Sequence, residues 1–271
     1  MKAYLYKIEA ITNLQVCSGE ENFGVVDNLI QRDAATGFPA INASSLKGAL
    51  REFFEQNQPQ DVVDVNTLFG SKPDEKNNPN AGALRFLDAH LLAMPVRTSR
   101  VPYLMATCPM LVRDYIQKCK LLDLPITFDK TKIDAILNSA QQSQPLVSCD
   151  KYKGIYIEDL DKKTLFNGAL NGLGQIIGIN AQNLVLFHDD DFLKLCDNNH
   201  LPIIARNCLE SKHENLWYEQ VLPRLTQMYF FVLADDNTDL SEFTTALSSQ
   251  LLQIGANASV GYGFCQINQV K

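Results

Sequence analysis

The 271-residue chain holds seven cysteines (Cys17, Cys108, Cys119, Cys149, Cys196, Cys208, Cys265) and not one CxxC pair. An odd, scattered set argues against a disulfide frame and a structural zinc site, and fits a reducing cytoplasm. Histidine is scarce: His90, His188, His200 and His213 have no zinc spacing. No apolar run approaches the ~20 residues a membrane span needs. Met1–Ala10 shows no signal-peptide core. Positive charge is short too, with 24 Lys and Arg against 31 Asp and Glu, a net −7. Polyphosphates are normally held by clustered Lys and Arg. The balance therefore argues against autonomous RNA binding. It fits a local basic groove on an acidic body whose remaining surface is partly covered by other proteins. Internal repeats and low-complexity tracts are absent.

What remains is the composition of a soluble globular protein, 46% hydrophobic and 20% charged. Its length suits one large domain or one domain with a sizeable insertion. Alternation predicts a first strand over 2–12, and 13–43 reads as an ordered functional loop. Ser44 or Ser45 is the expected N-cap of a helix to about residue 56, with Leu46, Leu50, Phe53 and Phe54 on one face. Residues 70–82 are polar and rich in breakers, the signature of a mobile loop. Strand is expected over 83–96, in a hairpin with 101–107, and helices over 109–119 and 131–142. Short strands follow in 151–168, helix in 169–182, strand in 183–188 and helix from Asp189 to Cys196. Segments 201–209 and 216–222 flank a polar turn and read as a protruding hairpin. Residues 227–234 are the clearest buried strand, Leu240–Leu252 the clearest late helix, and 263–269 a closing strand. This order predicts an α+β, ferredoxin-like core with large insertions and no clean domain boundary.

Two segments are poor core and good polyanion cradles. Gly37–Arg51 runs from a turn into a helix, where unpaired N–H groups, the hydroxyls of Ser44 and Ser45, and Lys47 converge within a turn. Lys47 and Arg51 share a helix face. Gln253–Phe264 is punctuated by Gly255, Gly261 and Gly263, with Asn257 and Ser259 between them. Such glycines let a backbone approach a ligand. They also serve helix ends and tight strand entries. Together the two segments suggest a grip on a phosphate backbone without base reading. Arg32, Arg97 and Arg100 are further phosphate candidates. The run Gly172–Gly178 nearly spells a dinucleotide fingerprint, but its last glycine is one residue late. Asp189-Asp190-Asp191 needs no metal, because acidic residues suit a helix start.

Several segments, in order, resemble the RAMP superfamily of CRISPR proteins, specifically the repeated backbone subunit of the type III-B Cmr effector complex. They are Gly24–Arg32, the helix start at Ser44–Arg51, Leu68–Ser71, Asp88–Arg97, Ala106–Pro109, Leu216–Glu219 with Leu222-Pro223, and Gln253–Gly263. The resemblance implies an RRM-like palm, helical fingers and a thumb hairpin near 201–223, in a single RAMP-type domain over 1–271. It implies CRISPR RNA, single-stranded target RNA, further copies of this chain and other Cmr subunits as partners, and no membrane. It also implies metal-dependent cleavage of target RNA, with Asp27 as catalytic residue and as ligand of Mg²⁺ or Mn²⁺. On sequence chemistry alone a loop aspartate is more often a turn cap. Trp217 and Tyr218 fall in the thumb, where they would stack on a splayed base or pack the hairpin down.

The chain departs from the family pattern at three places. Gln15 or Val16 stands near a family histidine, Arg224-Leu225-Thr226 replaces a family glutamate, and Ala256 replaces a glycine. Asp33, Glu20 and Glu21 are near enough in sequence to compensate. The departures raise one alternative, a catalytically silent filament subunit; a second, a metal-independent nuclease that processes CRISPR RNA, is disfavoured because no histidine lies near the N-terminal loop.

Overall fold

The computed structural model describes residues 1–19, 24–57, 64–71, 81–125, 128–210 and 213–270, without the side chains of 57, 208–210 and 213–215. Glu20, Glu21 and most of the 70–82 segment lie outside the described residues. In chain order the elements are β1 (Lys2–Ala10), β2 (Ala40–Ile41), α1 (Ala43–Asn57), α2 (Val65–Phe69), β3 (Arg85–Phe86), β4 (Ala89–Val96) and β5 (Leu104–Thr107). There follow α3 (Pro109–Leu121), α4 (Lys130–Asn138), β6 (Leu146–Val147), β7 (Leu165–Phe166), α5 (Leu170–Ile177), β8 (Leu184–Leu186) and α6 (Asp189–Leu195). The last are β9 (Ile203–Glu210), β10 (His213–Gln220), β11 (Gln227–Ala234), α7 (Ser241–Ser249), β12 (Leu252–Gln253) and β13 (Phe264–Gln269). They fall into two compact units, 1–90 with 201–271, and 91–200.

The first unit is the palm. Its antiparallel strands run β12–β13–β1–β11. Alternation in β1 turns Tyr6, Ile8 and Ala10 to one face, all buried. Tyr6 lies opposite Phe230 of β11, with the rings stacked at 5.3 Å. Helices α1 and α7 cover this face through Phe54 and Phe243, stacked at 4.9 Å, and Phe243 meets Tyr6 edge-on at 6.0 Å. Phe69 of α2 extends the cluster to Phe86 of β3. This is the ferredoxin-like layer the alternating and helical patterns predicted. The hairpin β9–β10 forms a separate two-stranded sheet, from His213 opposite Glu210 to Gln220 opposite Ile203. Its strands reach further into the polar turn than 201–209 and 216–222, because cross-strand pairing continues where the composition turns polar.

The second unit has the mixed order β4–β5–β8–β6–β7 with α3 to α6. Gly174 belongs to packing, since a Cβ there would stand 2.8 Å from the Ala181 Cα. Asp189 accepts the Met110 amide at the start of α3 at 2.7 Å, and buried Asp191 accepts from the Ser143 amide. The acidic run therefore serves helix ends.

Candidate functional site

The expected loop at 13–43 is held by short backbone pairings. Leu14 exchanges two hydrogen bonds with Leu222, and Cys17 bridges Ile30. Gln31 ties the loop to α1. Its amide nitrogen donates to the Cys17 carbonyl and to the Ser45 Oγ, both at 2.9 Å, and its oxygen accepts the Asn42 N–H. The helix itself starts at Ala43, one residue before the serines. Neither serine is the N-cap. Asp88 takes the Ala43 N–H at 2.6 Å, so an internal carboxylate already occupies one of the donors expected to hold an anion.

Asp27 sits exposed against the root of the hairpin. Its Oδ2 accepts the Tyr218 N–H at 2.8 Å, and the Tyr218 carbonyl accepts the N–H groups of Asp27 and Asn28. Gln220 returns an N–H to the Asn28 carbonyl at 2.9 Å. The segment thus lies along β10, where Asn28 makes an isolated parallel bridge with Glu219.

Glu219 is the residue that reasoning from sequence missed. It is 4% exposed and gathers three donors. Arg206 Nε and Asn257 Nδ2 reach Oε2 at 2.9 and 2.8 Å, and the Trp217 indole N–H reaches Oε1 at 2.8 Å. Arg206 also lies 4.4 Å from the centre of the Tyr262 ring, a cation–π contact. Asn257 bonds buried Gln15 as well, at 3.3 Å. Hairpin root, N-terminal loop and glycine loop therefore meet at one buried carboxylate. Register explains why: Arg206 faces Trp217, which puts it on the diagonal from Glu219 across the hairpin. A glutamate in a polar strand reads as solvent-facing until that register is known.

The other expected site residues have different fates. Trp217 is half-buried by its bond to Glu219, and Tyr218 is half-buried beside it. Lys47 is half-buried and has no bonded partner among the described residues. Arg51 spends its guanidinium internally, on Glu55, the Gly70 carbonyl and Asn66. Arg32 donates to the Gly37 carbonyl at 2.9 Å and holds the turn that follows it. Arg97 lies in the second unit, paired with Glu158, and Arg100 there donates to the Lys151 carbonyl. Ser44 and Ser259 are exposed.

The glycines divide by what surrounds them. Gly255 has φ +85°, and a Cβ would stand 2.2 Å from the Gln15 carbonyl oxygen. Gly263 has φ +76° and would bring a Cβ 2.0 Å from the Ile254 oxygen. Both are glycine because protein backbone crosses there. Gly261, at φ +83°, faces open space. Asn257 is also left-handed, φ +65°, and its side chain turns inward to Glu219. The open face of the loop is 258–261.

Asp33 accepts from the Thr36 amide and hydroxyl and from the Ala35 amide. Burial alone would raise its pKa, but those bonds outweigh burial and hold it below the usual 3.8. It is a turn cap. Among the described residues, no three of His, Cys, Asp and Glu converge in a way that could hold a metal. Asp27 has one oxygen on a backbone N–H, and Glu219 already takes three donors. The residues described do not make a protein-built Mg²⁺ or Mn²⁺ site.

A family model described as the RAMP superfamily matches residues 7–266. The "CRISPR system Cmr endoribonuclease Cmr4" of Pyrococcus furiosus is 28% identical, over 98% of this chain and 95% of that protein. The "CRISPR system CMR subunit Cmr4" of Saccharolobus solfataricus is 26% identical over 96% and 94%. Among solved structures, a type III-B Cmr-beta complex bound to cognate target RNA contains a chain of TM-score 0.76 at 23% identity, covering 99% of this chain and 97% of that one. Oligomeric Cmr4 from Pyrococcus furiosus gives TM-score 0.72 at 21%, covering 100% and 98%. Matched over residues 7–266, the chain belongs to the RAMP superfamily.

Proposed function

We propose that the chain is the repeated backbone subunit of a type III-B CRISPR effector complex, acting in antiviral defence in the cytoplasm. Copies line up along CRISPR RNA beside other Cmr subunits and hold complementary target RNA. The observation that carries this reading is the likeness to Cmr subunits over 98% of the chain. The exposed 258–260 turn and Lys47, which has no bonded partner among the described residues, supply contacts that suit a phosphate backbone. No helix among the described residues is long and apolar enough to cross a membrane.

On this reading RNA binding needs no chemistry from the chain, and the donor set around Asp27 supports a holding role better than a metal-dependent one. A second reading adds target cleavage. It is favoured by the position of Asp27, exposed at the hairpin root with no described residue bonded to its Oδ1. The name of the Pyrococcus furiosus relative points the same way. The test is labelled target RNA on the reconstituted complex, with Mg²⁺, with Mn²⁺ and with chelator, comparing native chain, Asp27→Asn and Asp27→Ala. Asn keeps an oxygen for the Tyr218 N–H and removes the charge; Ala removes both. Bound but intact target with native chain establishes the holding reading. Regular products lost in both variants establish carboxylate chemistry. Products lost in Ala alone assign Asp27 to placing the hairpin. A native complex that fails to bind target refutes the function altogether.

A further inference from the structure

We infer that Asn257 and Glu219 form a positioning link, through which RNA bound on the glycine loop fixes the root of the hairpin and with it Asp27. The inference rests on the RNA-binding reading and extends it to how two contact regions are coupled.

The link is short and has few alternatives. The loop's exposed stretch, 258–260, is a single 3-10 turn flanked by left-handed Asn257 and Gly261. The Asn257 carbonyl accepts the Val260 and Tyr262 N–H groups and so organises that turn from within. The same residue's amide nitrogen donates to Glu219 Oε2 at 2.8 Å. A ligand that orders the turn therefore orders the residue that reaches the hairpin.

At the other end, Glu219 lies between Tyr218 and Gln220, whose amides donate to Asp27 Oδ2 and to the Asn28 carbonyl. Arg206 and Trp217 hold the same carboxylate from both strands of the hairpin. Burial makes the arrangement stiff, because a charge out of water holds its donors more strongly than an exposed one. Glu219 and Asn257 act through other groups and touch no RNA in this scheme. They are positioning residues.

Asn257→Gly cuts the link with the least collateral change. Glycine accepts φ +65° without strain, and the backbone bonds of the turn remain. Asn257→Asp is the companion variant, which sets a like charge against Glu219. The experiment is hydrogen exchange of the full chain, before and after assembly into the complex on guide RNA. In the native chain, assembly is expected to protect both the 256–262 amides and those of Tyr218 and Gln220. With Asn257→Gly the loop should stay protected, while Tyr218 and Gln220 exchange about tenfold faster than in the native complex, as loss of a bond to a charged acceptor allows. Asn257→Asp should do the same. Protection of the hairpin equal to native in both variants overturns the link while leaving RNA binding standing. A native loop that gains no protection on assembly removes the loop's RNA role, and the link falls with it.

Discussion

Replacing Glu219 by Gln should destabilise the palm by about 3–5 kcal/mol, the range for breaking one partner of a buried ion pair. Three donors converge on two carboxylate oxygens, whereas an amide offers a single oxygen and an NH₂ group. If that oxygen keeps Arg206 and Asn257, the Trp217 N–H faces another donor. If it keeps Trp217, Arg206 remains charged and largely buried, 17% exposed, with no counter-ion. A stranded donor alone costs about 1–3 kcal/mol. Domains of this kind are stable by only ~5–15 kcal/mol, so the loss is a large share. The assay is urea unfolding followed by tryptophan emission. Trp217 is the chain's one tryptophan and bonds Glu219 directly, so the signal reports this site and ignores transitions in the second unit. With a slope of about 3 kcal/mol per molar urea, the midpoint should fall by roughly 1–1.7 M. Adding Arg206→Met should restore much of it, because a buried pair replaced by apolar groups is often neutral. A Glu219→Gln midpoint within about 0.2 M of native would refute the reasoning and show the pair to be solvent-screened.

Gly255→Ala should unfold the loop's anchor and lower thermal stability, because its Cβ meets the Gln15 carbonyl. Gly261→Ala should cost only about 1–2 kcal/mol for its left-handed backbone, and any larger loss in RNA binding by the complex then measures contact at that point. Lys47→Ala should leave the melting temperature unchanged while flattening the salt dependence of RNA binding by about one unit of slope. Arg51→Ala should do the opposite, releasing α2 by breaking its bonds to Gly70 and Asn66. Asp33 has a folded pKa below its unfolded value, so its contribution to stability is present above about pH 4 and lost as pH falls through the folded pKa. Stability of Asp33→Asn followed from pH 5 to pH 2 should fall less steeply than native.

The palm was legible because its signals are local. Tyr6 and Ile8 alternate in β1, the apolar run at 228–234 is unbroken, and Leu46, Leu50 and Phe54 recur at helical spacing. The hairpin was legible from its polar turn. Asp27 is nominated through resemblance alone, since an exposed loop aspartate has no chemical signature of its own. What stayed hidden depends on partners far apart in the chain. Asp88 caps a helix 45 residues earlier in sequence, which made the serines beside Ala43 the better local guess. Gly255 is glycine because of Gln15, at the opposite end of the chain, and that contact reverses its meaning from ligand approach to backbone crossing. Arg51 and Lys47 share a helix face, yet only the neighbourhood of α2 separates a brace from a cation with no bonded partner among the described residues.

The interrupted order of the palm has a consequence for how the protein is made. Lys2 of β1 pairs with Ala234 of β11, and Tyr6 with Gln269 of β13. Residues 91–200 are contiguous and carry nearly all the strands and helices of their own unit. On a ribosome moving from the N-terminus, that unit is fully supplied while β1 still lacks both neighbours. The apolar face of Tyr6 and Ile8 must wait for β11 and β13 to emerge. Pairings of such separation are slow to form and leave strand edges open to misassembly in the meantime. Synthesis thus places the closing of the palm after the inserted unit has had time to fold.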